Sequence, residues 1–156
     1  QGVCKIYPFV DSDLLICGAT LHDIGKIVEF KVSNFGIADG YTTDGTLVGH
    51  IVRGAMAVRN MGEKLSIPEE KIMLVEHMIL SHHGEPEFGA AVRPMFLEAE
   101  ILSELDLMDA RIYEMWEAVS STEKFDFSAR QWALDNRRLY NHGRKNLSDY
   151  ADLNIQ

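Results

Sequence analysis

Gly18-Ala-Thr-Leu-His-Asp-Ile-Gly-Lys26 sets an imidazole, His22, directly beside a carboxylate, Asp23, at the end of an apolar run. Neighbouring nitrogen and oxygen donors of this kind suit a divalent metal. Outward from this stretch the chain offers His50, the adjacent pair His82-His83, and the acidic sequence Leu105-Asp-Leu-Met-Asp109. Together these are donors enough for one or two ions, provided the fold brings them into one place.

The surrounding periodicities predict mostly helix. Asp11 or Ser12 is placed to cap a helix over 13–21, whose C-terminal end delivers His22 and Asp23, with Gly25 permitting a turn. Residues 26–41 carry Val28, Phe30, Val32, Phe35 and Ile37 among glycines and polar residues, which reads as an irregular loop or a short hairpin. Over 46–64, Leu47, Ile51, Ala55, Val58 and Met61 recur at three- and four-residue steps, giving a helix with His50 near its start. Gly49 and Gly54 would let another backbone approach it.

A third helix starts near Pro68, with Glu69 and Glu70 favourable to its dipole, and runs to Ser81-His-His-Gly84. A fourth, over 94–120, carries Leu97, Ile101, Leu105, Met108 and Ile112, and its Asp106 and Asp109 are neighbours on the helix surface. Ser128-Ala-Arg-Gln131 has the form of a capping box and predicts a last helix to Tyr140. Helices packed as a bundle project ligands inward, so three helix ends and one acidic helix give distant donors a reason to converge.

Composition narrows the class. The chain has 156 residues, 46% hydrophobic and 25% charged, ordinary for one globular domain. No apolar run approaches the ~20 residues that cross a bilayer, and the opening Gln1-Gly-Val-Cys-Lys5 lacks the layout of a secretory signal, so no membrane partner and a cytoplasmic location are expected. Cys4 and Cys17 are too few for a disulfide framework or a zinc-thiolate site. The formal charge of -9 opposes unspecific adhesion to a polyanion, yet Arg130, Arg137, Arg138, Arg144 and Lys145 cluster against Asp135 alone. That cluster is either a solvated face or a phosphate-facing patch.

Imidazole with carboxylate favours Mn, Fe, Co, Ni or Zn over calcium. Such an ion lowers the pKa of its water and draws charge from a phosphoryl oxygen, so phosphoester hydrolysis is the implied reaction. Each residue also has a plainer reading: His22 bonded locally at a helix end, His50 as a half-buried polar group, His82-His83 satisfying helix carbonyls, Lys26 as a solvated cation, Asp106 as charged surface. Arg111 beside Asp109 reads as a structural ion pair.

Leu21-His-Asp-Ile-Gly-Lys26, the later histidines and Asp106 resemble the HD-domain superfamily of metal-dependent phosphohydrolases. Within it, Gly49-His-Ile-Val-Arg-Gly54, His77-Met-Ile-Leu-Ser-His-His-Gly-Glu85 followed by Phe88-Gly89, Glu98-Ala-Glu-Ile-Leu102, Met108-Asp-Ala-Arg111 and Trp132-Ala-Leu-Asp-Asn-Arg-Arg-Leu-Tyr140 are similar to the YhaM-type 3′-to-5′ exoribonucleases. The resemblance implies an all-α helical bundle with a short irregular or hairpin segment after the HD pair. It also implies a metal site in which His22, Asp23 and Asp106 match family ligands, while in two-ion members Asp23 bridges and His50, His82 and His83 complete the second position. Family members carry a further histidine on a preceding helix, and an amino-terminal oligonucleotide-binding barrel. Neither is present here, so the expectation is one HD domain over 1–156, a fragment short of its first helix.

The expected function is metal-dependent phosphodiester hydrolysis, of the 3′-to-5′ exoribonuclease kind, on single-stranded RNA or DNA. Asp23, Lys26, His82 and His83 are the candidate catalytic residues, Lys26 stabilising developing charge and His82 or His83 protonating the leaving oxygen. Arg137, Arg138 and Tyr140 are the candidate nucleic-acid contacts. The alternatives are an HD phosphohydrolase acting on a small nucleotide, and a non-catalytic HD domain that binds metal or a partner. Oligomeric state is not encoded in these periodicities.

Overall fold

Capping chemistry and apolar spacing set where the helices begin and end. The computed structural model describes residues 2–147, and the chain forms two compact units, Gln1–Asp106 and Leu107–Gln156. It is mostly helical with one small hairpin, the expected architecture. In the first unit, α1 (Gly2–Ile6) buries nothing, and α2 (Ser12–Leu21) follows the expected cap: the Asp11 carboxylate accepts the backbone N–H groups of Asp13 and Leu14 at 3.0 and 3.1 Å. A turn at residues 22–25 leads into α3 (Lys26–Glu29). The antiparallel hairpin of β1 (Phe30–Val32) and β2 (Ala38–Tyr41) comes next, with the Phe30 and Tyr41 rings 5.0 Å apart.

Two helices, α4 (Thr43–Leu47) and α5 (Gly49–Lys64), stand where one was expected over 46–64. Gly49 has φ 78°, a left-handed conformation that ends one helix and lets the next begin in a new direction. Helix α6 (Glu69–Ser81) has Pro68 at its N-cap, and α7 (Leu97–Ser120) begins three residues later than Pro94, the Met95 N–H before it donating to His77 Nε2 at 3.0 Å.

Two apolar clusters hold the first unit together. Val10, Leu15, Met78, Ala99 and Leu102 form one, and Ala55, Val75 and Ile79 form the other, with Leu14 packed against both and Cys17, a free thiol, against the second. Glu98 accepts the Asp11 N–H at 2.7 Å, tying the start of α7 to the cap of α2. Arg59 on α5 reaches Glu69 Oε2 at 2.7 Å and Glu76 Oε1 at 2.9 Å on α6, so one guanidinium clamps the two antiparallel helices. Among the described residues no helix is long and apolar enough to cross a membrane.

In the second unit the remainder of α7 contributes Ala118, which is buried with Leu134 and Leu139. The helix expected over 128–140 does not form. Residues 125–131 and 137–141 instead make an antiparallel ribbon, bridged at Phe127 with Tyr140 and at Gln131 with Arg137, and closed by a 3-10 turn at Trp132–Leu134. The turn chemistry of Asp135-Asn136 overrides the capping pattern: both take left-handed backbone, φ 58° and 57°, which Asp and Asn tolerate better than most residues. Ser128 Oγ, expected as a cap, accepts the Leu139 N–H across the ribbon at 3.0 Å. The Asp109–Arg111 ion pair is not formed among the described residues, where both side chains are exposed.

Gly25 marks the closest backbone approach in the first unit. A Cβ there would run into the His50 carbonyl oxygen and lie 2.8 Å from the Gly54 nitrogen, so α3 reaches α5 only because Gly25 lacks one. Gly25→Ala is expected to lower stability by roughly 1–3 kcal/mol, the usual scale of overpacking, read as a reduced urea midpoint. An unchanged midpoint would show that the contact has slack.

Candidate metal centre

Each candidate ligand of the first unit is delivered by the end of a helix or by the exposed side of α7. His22 caps the C-terminus of α2 and Asp23 follows it; His50 lies in the first turn of α5; His82 caps α6 and His83 follows; Asp106 projects from α7. The folded chain brings all six together. His22 Nε2 stands 3.4 Å from Asp23 Oδ2 and 3.7 Å from Asp106 Oδ1. On the other side Asp23 Oδ1 is 3.7 Å from His50 Nε2 and 3.8 Å from His82 Nε2. Ligating atoms of His50, His82 and His83 lie within 4.8 Å of one another.

Every one of the four histidines has its Nδ1 occupied by an oxygen. Ala19 O holds that of His22 at 3.0 Å, Ile79 O that of His82 at 2.7 Å, Phe88 O that of His83 at 2.9 Å, and Glu29 Oε1 that of His50 at 3.1 Å. Each ring is thereby fixed in orientation, with Nδ1–H donating and Nε2 left as the free donor atom, the arrangement usual for metal-bound imidazole. The two other histidines are spent elsewhere: His77 accepts from Met95 and His142 Nδ1 accepts from Arg144 N–H.

Three atoms decide whether a cation fits. Asp23 Oδ1, His50 Nε2 and His82 Nε2 are buried and have no hydrogen-bond partner among the described residues. Two of them are imidazole acceptors and one a carboxylate oxygen, so a shared positive centre satisfies all three, whereas mutual hydrogen bonds at these separations do not. Ligands bonded at ~2.1 Å with tetrahedral angles stand ~3.4 Å apart; the pairs that include a carboxylate are 3.4 to 3.8 Å apart, and the three-histidine group is looser, within 4.8 Å. The residues present fit a divalent ion.

Electrostatics agree. Hydrogen bonding to Asp106 and then Asp23 raises the pKa of His22 to about 10, so in the metal-free centre a proton occupies the place between two carboxylates. Burial raises the Asp23 carboxyl, but the hydrogen bonds from His22 and Lys26 outweigh it and hold the group well below the usual carboxylate range. His82 is only 1% exposed, and burial pushes it down to about 4, which keeps it neutral and ready to ligate. Lys26 Nζ sits 2.7 Å from Asp23 Oδ2 and is partly exposed.

Glu29 is the residue that the sequence reading missed. It is a carboxylate only 7% exposed, accepting both the backbone N–H and the ring N–H of His50 at 3.1 Å. Its only trace in the sequence is an acidic residue within Ile27-Val-Glu-Phe30; the fold-back of α3 onto α5 that gives it a partner is not written there. Asp109, by contrast, is exposed in the second unit.

Arg137, Arg138 and Tyr140 also belong to the second unit and divide between its faces. Arg138 Nε donates to Ser128 O at 3.1 Å with its guanidinium 5.3 Å from the centroid of Phe127, whose ring lies 5.0 Å from Tyr140. Arg137 turns instead to Leu134 O at 2.9 Å, with Asp135 at 3.8 Å.

Comparison with known proteins bears on the same residues. The HD domain family profile matches residues 2–111. The 3′-5′ exoribonuclease YhaM of Listeria welshimeri is 40% identical over 141 residues, 90% of this chain and 44% of that protein. Its namesake in Bacillus licheniformis is 39% identical over 140 residues, again 90% of this chain and 44% of the relative. The chain thus spans less than half the length of these curated relatives, and no solved structure matches it. A family match of this extent establishes that the chain belongs to the HD-domain family.

Proposed function

We propose that the first unit holds a divalent-metal phosphodiesterase site and that its substrate is the 3′ end of single-stranded RNA. The observation that carries the hydrolytic reading is the trio of buried, unpartnered donors on Asp23, His50 and His82. The RNA reading is supported by the relatives named 3′-5′ exoribonuclease. Such a substrate suits a cytoplasmic protein.

The donor set, rich in imidazole, favours Mn, Co, Fe, Ni or Zn. Asp23 has the disposition of a bridging carboxylate: Oδ2 faces His22, and Oδ1 faces His50 and His82. His22, Asp23 and Asp106 would hold one ion, and Asp23, His50, His82 and His83 a second. An ion bound there supplies an acidified water and charge stabilisation at a phosphoryl oxygen.

The chain's own residues do the positioning. Lys26 Nζ donates to Asp23 Oδ2 at 2.7 Å and, being partly exposed, would stabilise negative charge developing on a bound phosphodiester. His82 is sealed from solvent and is confined to ligation. His83, half-buried, is the member of the pair that solvent reaches, and it passes a proton to the leaving oxygen only if it stands outside the second ion's ligand set. Glu29 fixes the His50 tautomer and strengthens its basicity.

Release of mononucleotides from a short single-stranded RNA in the presence of added manganese is the direct test. Phosphate or nucleoside release from free nucleotides alone would favour a small-nucleotide hydrolase instead, and stoichiometric metal without any turnover a binding domain. Asp23→Ala is expected to remove metal and activity together, because it deletes the donor common to both sides; normal metal content by elemental analysis would refute the bridging role. Glu29→Gln is expected to weaken metal affinity by roughly 10- to 100-fold, the usual effect of losing such a partner, with the fold intact by circular dichroism. Unchanged affinity in a chelator competition would reduce Glu29 to a packing residue.

A further inference from the structure

The ribbon of the second unit alternates in the manner of paired strands. Ser128 and Leu139 are buried on its inner face, while Phe127 and Tyr140, cross-strand partners, are 50% and 46% exposed on the outer one. Arg138, two residues before Tyr140, shares the outer face and lies over the Phe127 ring at 5.3 Å. Its Nε bond to Ser128 O pins it there. The result is two exposed aromatic rings and a planar cation held on a hydrogen-bonded frame, with Leu139 N–H locked to Ser128 Oγ beneath them.

The segment that forms the ribbon is also a basic stretch of the sequence. The chain carries a net -9, yet residues 124–145 hold six Lys or Arg (Lys124, Arg130, Arg137, Arg138, Arg144, Lys145) against Asp126 and Asp135. A surface that joins flat π-faces to local positive charge within an acidic protein complements an anionic polymer with unpaired aromatic bases, since stacking reads any base and the cations meet the phosphates.

We infer that Phe127, Tyr140 and Arg138 form a stacking platform for the bases of single-stranded RNA. The inference rests on the proposed RNA substrate and adds Phe127 to the contacts expected from sequence, with Arg138 and Tyr140 on its face of the ribbon and Arg137 turned to Leu134 O. It is tested on the full chain by fluorescence anisotropy, with a labelled oligoadenylate carrying cleavage-resistant phosphorothioate linkages. The control is an abasic oligomer of equal length. Phe127→Ala and Tyr140→Ala are each expected to weaken oligoadenylate binding roughly 5- to 100-fold, the range for loss of one base stack, and to leave the abasic oligomer unaffected.

Phe127→Leu, which keeps an apolar side chain without a π-face, is expected to follow Phe127→Ala, and Phe127→Trp to restore binding. Equal losses for both oligomers, no loss for either, or wild-type affinity no higher for oligoadenylate than for the abasic oligomer would overturn the platform. So would a change in oligomeric state by light scattering, which would make the face a self-association surface. Mononucleotide release by the wild-type chain reads the substrate assignment separately: stacking without release would sink that assignment and spare the platform, and release without stacking the reverse.

Discussion

Asp23 Oδ1, His50 Nε2 and His82 Nε2 are buried toward one another with no hydrogen-bond partner among the described residues. Each polar group left in that condition costs about 1–3 kcal/mol, and the three sit where α2, α5 and α6 meet. Nothing in the apolar clusters requires these helices to end at one point. A shared positive centre would, and the six candidate donors of α2, α5, α6 and α7 converge on that place.

That arrangement explains the backbone oddities nearby. Gly49 breaks what would be one helix, so that α5 starts there and the next residue, His50, directs its N–H at Glu29. Gly25 lets α3 lie against the first turn of α5, and α3 in turn supplies Glu29. Carbonyls at the ends of α2 and α6, freed of helical partners, serve as acceptors for His22 and His82. Helix termini thus supply both the ligands and the groups that aim them.

Much of this was legible in the chain. His22-Asp23 announced the centre, Asp11 announced the start of α2, and the three-four spacing of Ile72, Val75 and Ile79 announced α6. Contacts between elements distant in sequence were not legible, because no local pattern states which acidic residue will fold back on which histidine; Glu29 is the example. The ribbon at 125–141 was misread for a different reason. A four-residue capping pattern at Ser128 competed with a two-residue turn at Asp135-Asn136, and the turn prevailed by pairing the backbone across the ribbon and burying Leu134 and Leu139.

Arg59 gives the α5–α6 pair an asymmetry. Its grip on Glu69 and Glu76 lies nine residues beyond His50, ~14 Å along the axis at 1.5 Å per residue, well away from the candidate ligands. Between that grip and the ligands, Ala55, Val75 and Ile79 pack the same two helices together. An ion arriving there would therefore meet a cradle built beforehand, its walls set by buried hydrocarbon and by the guanidinium rather than gathered by the metal.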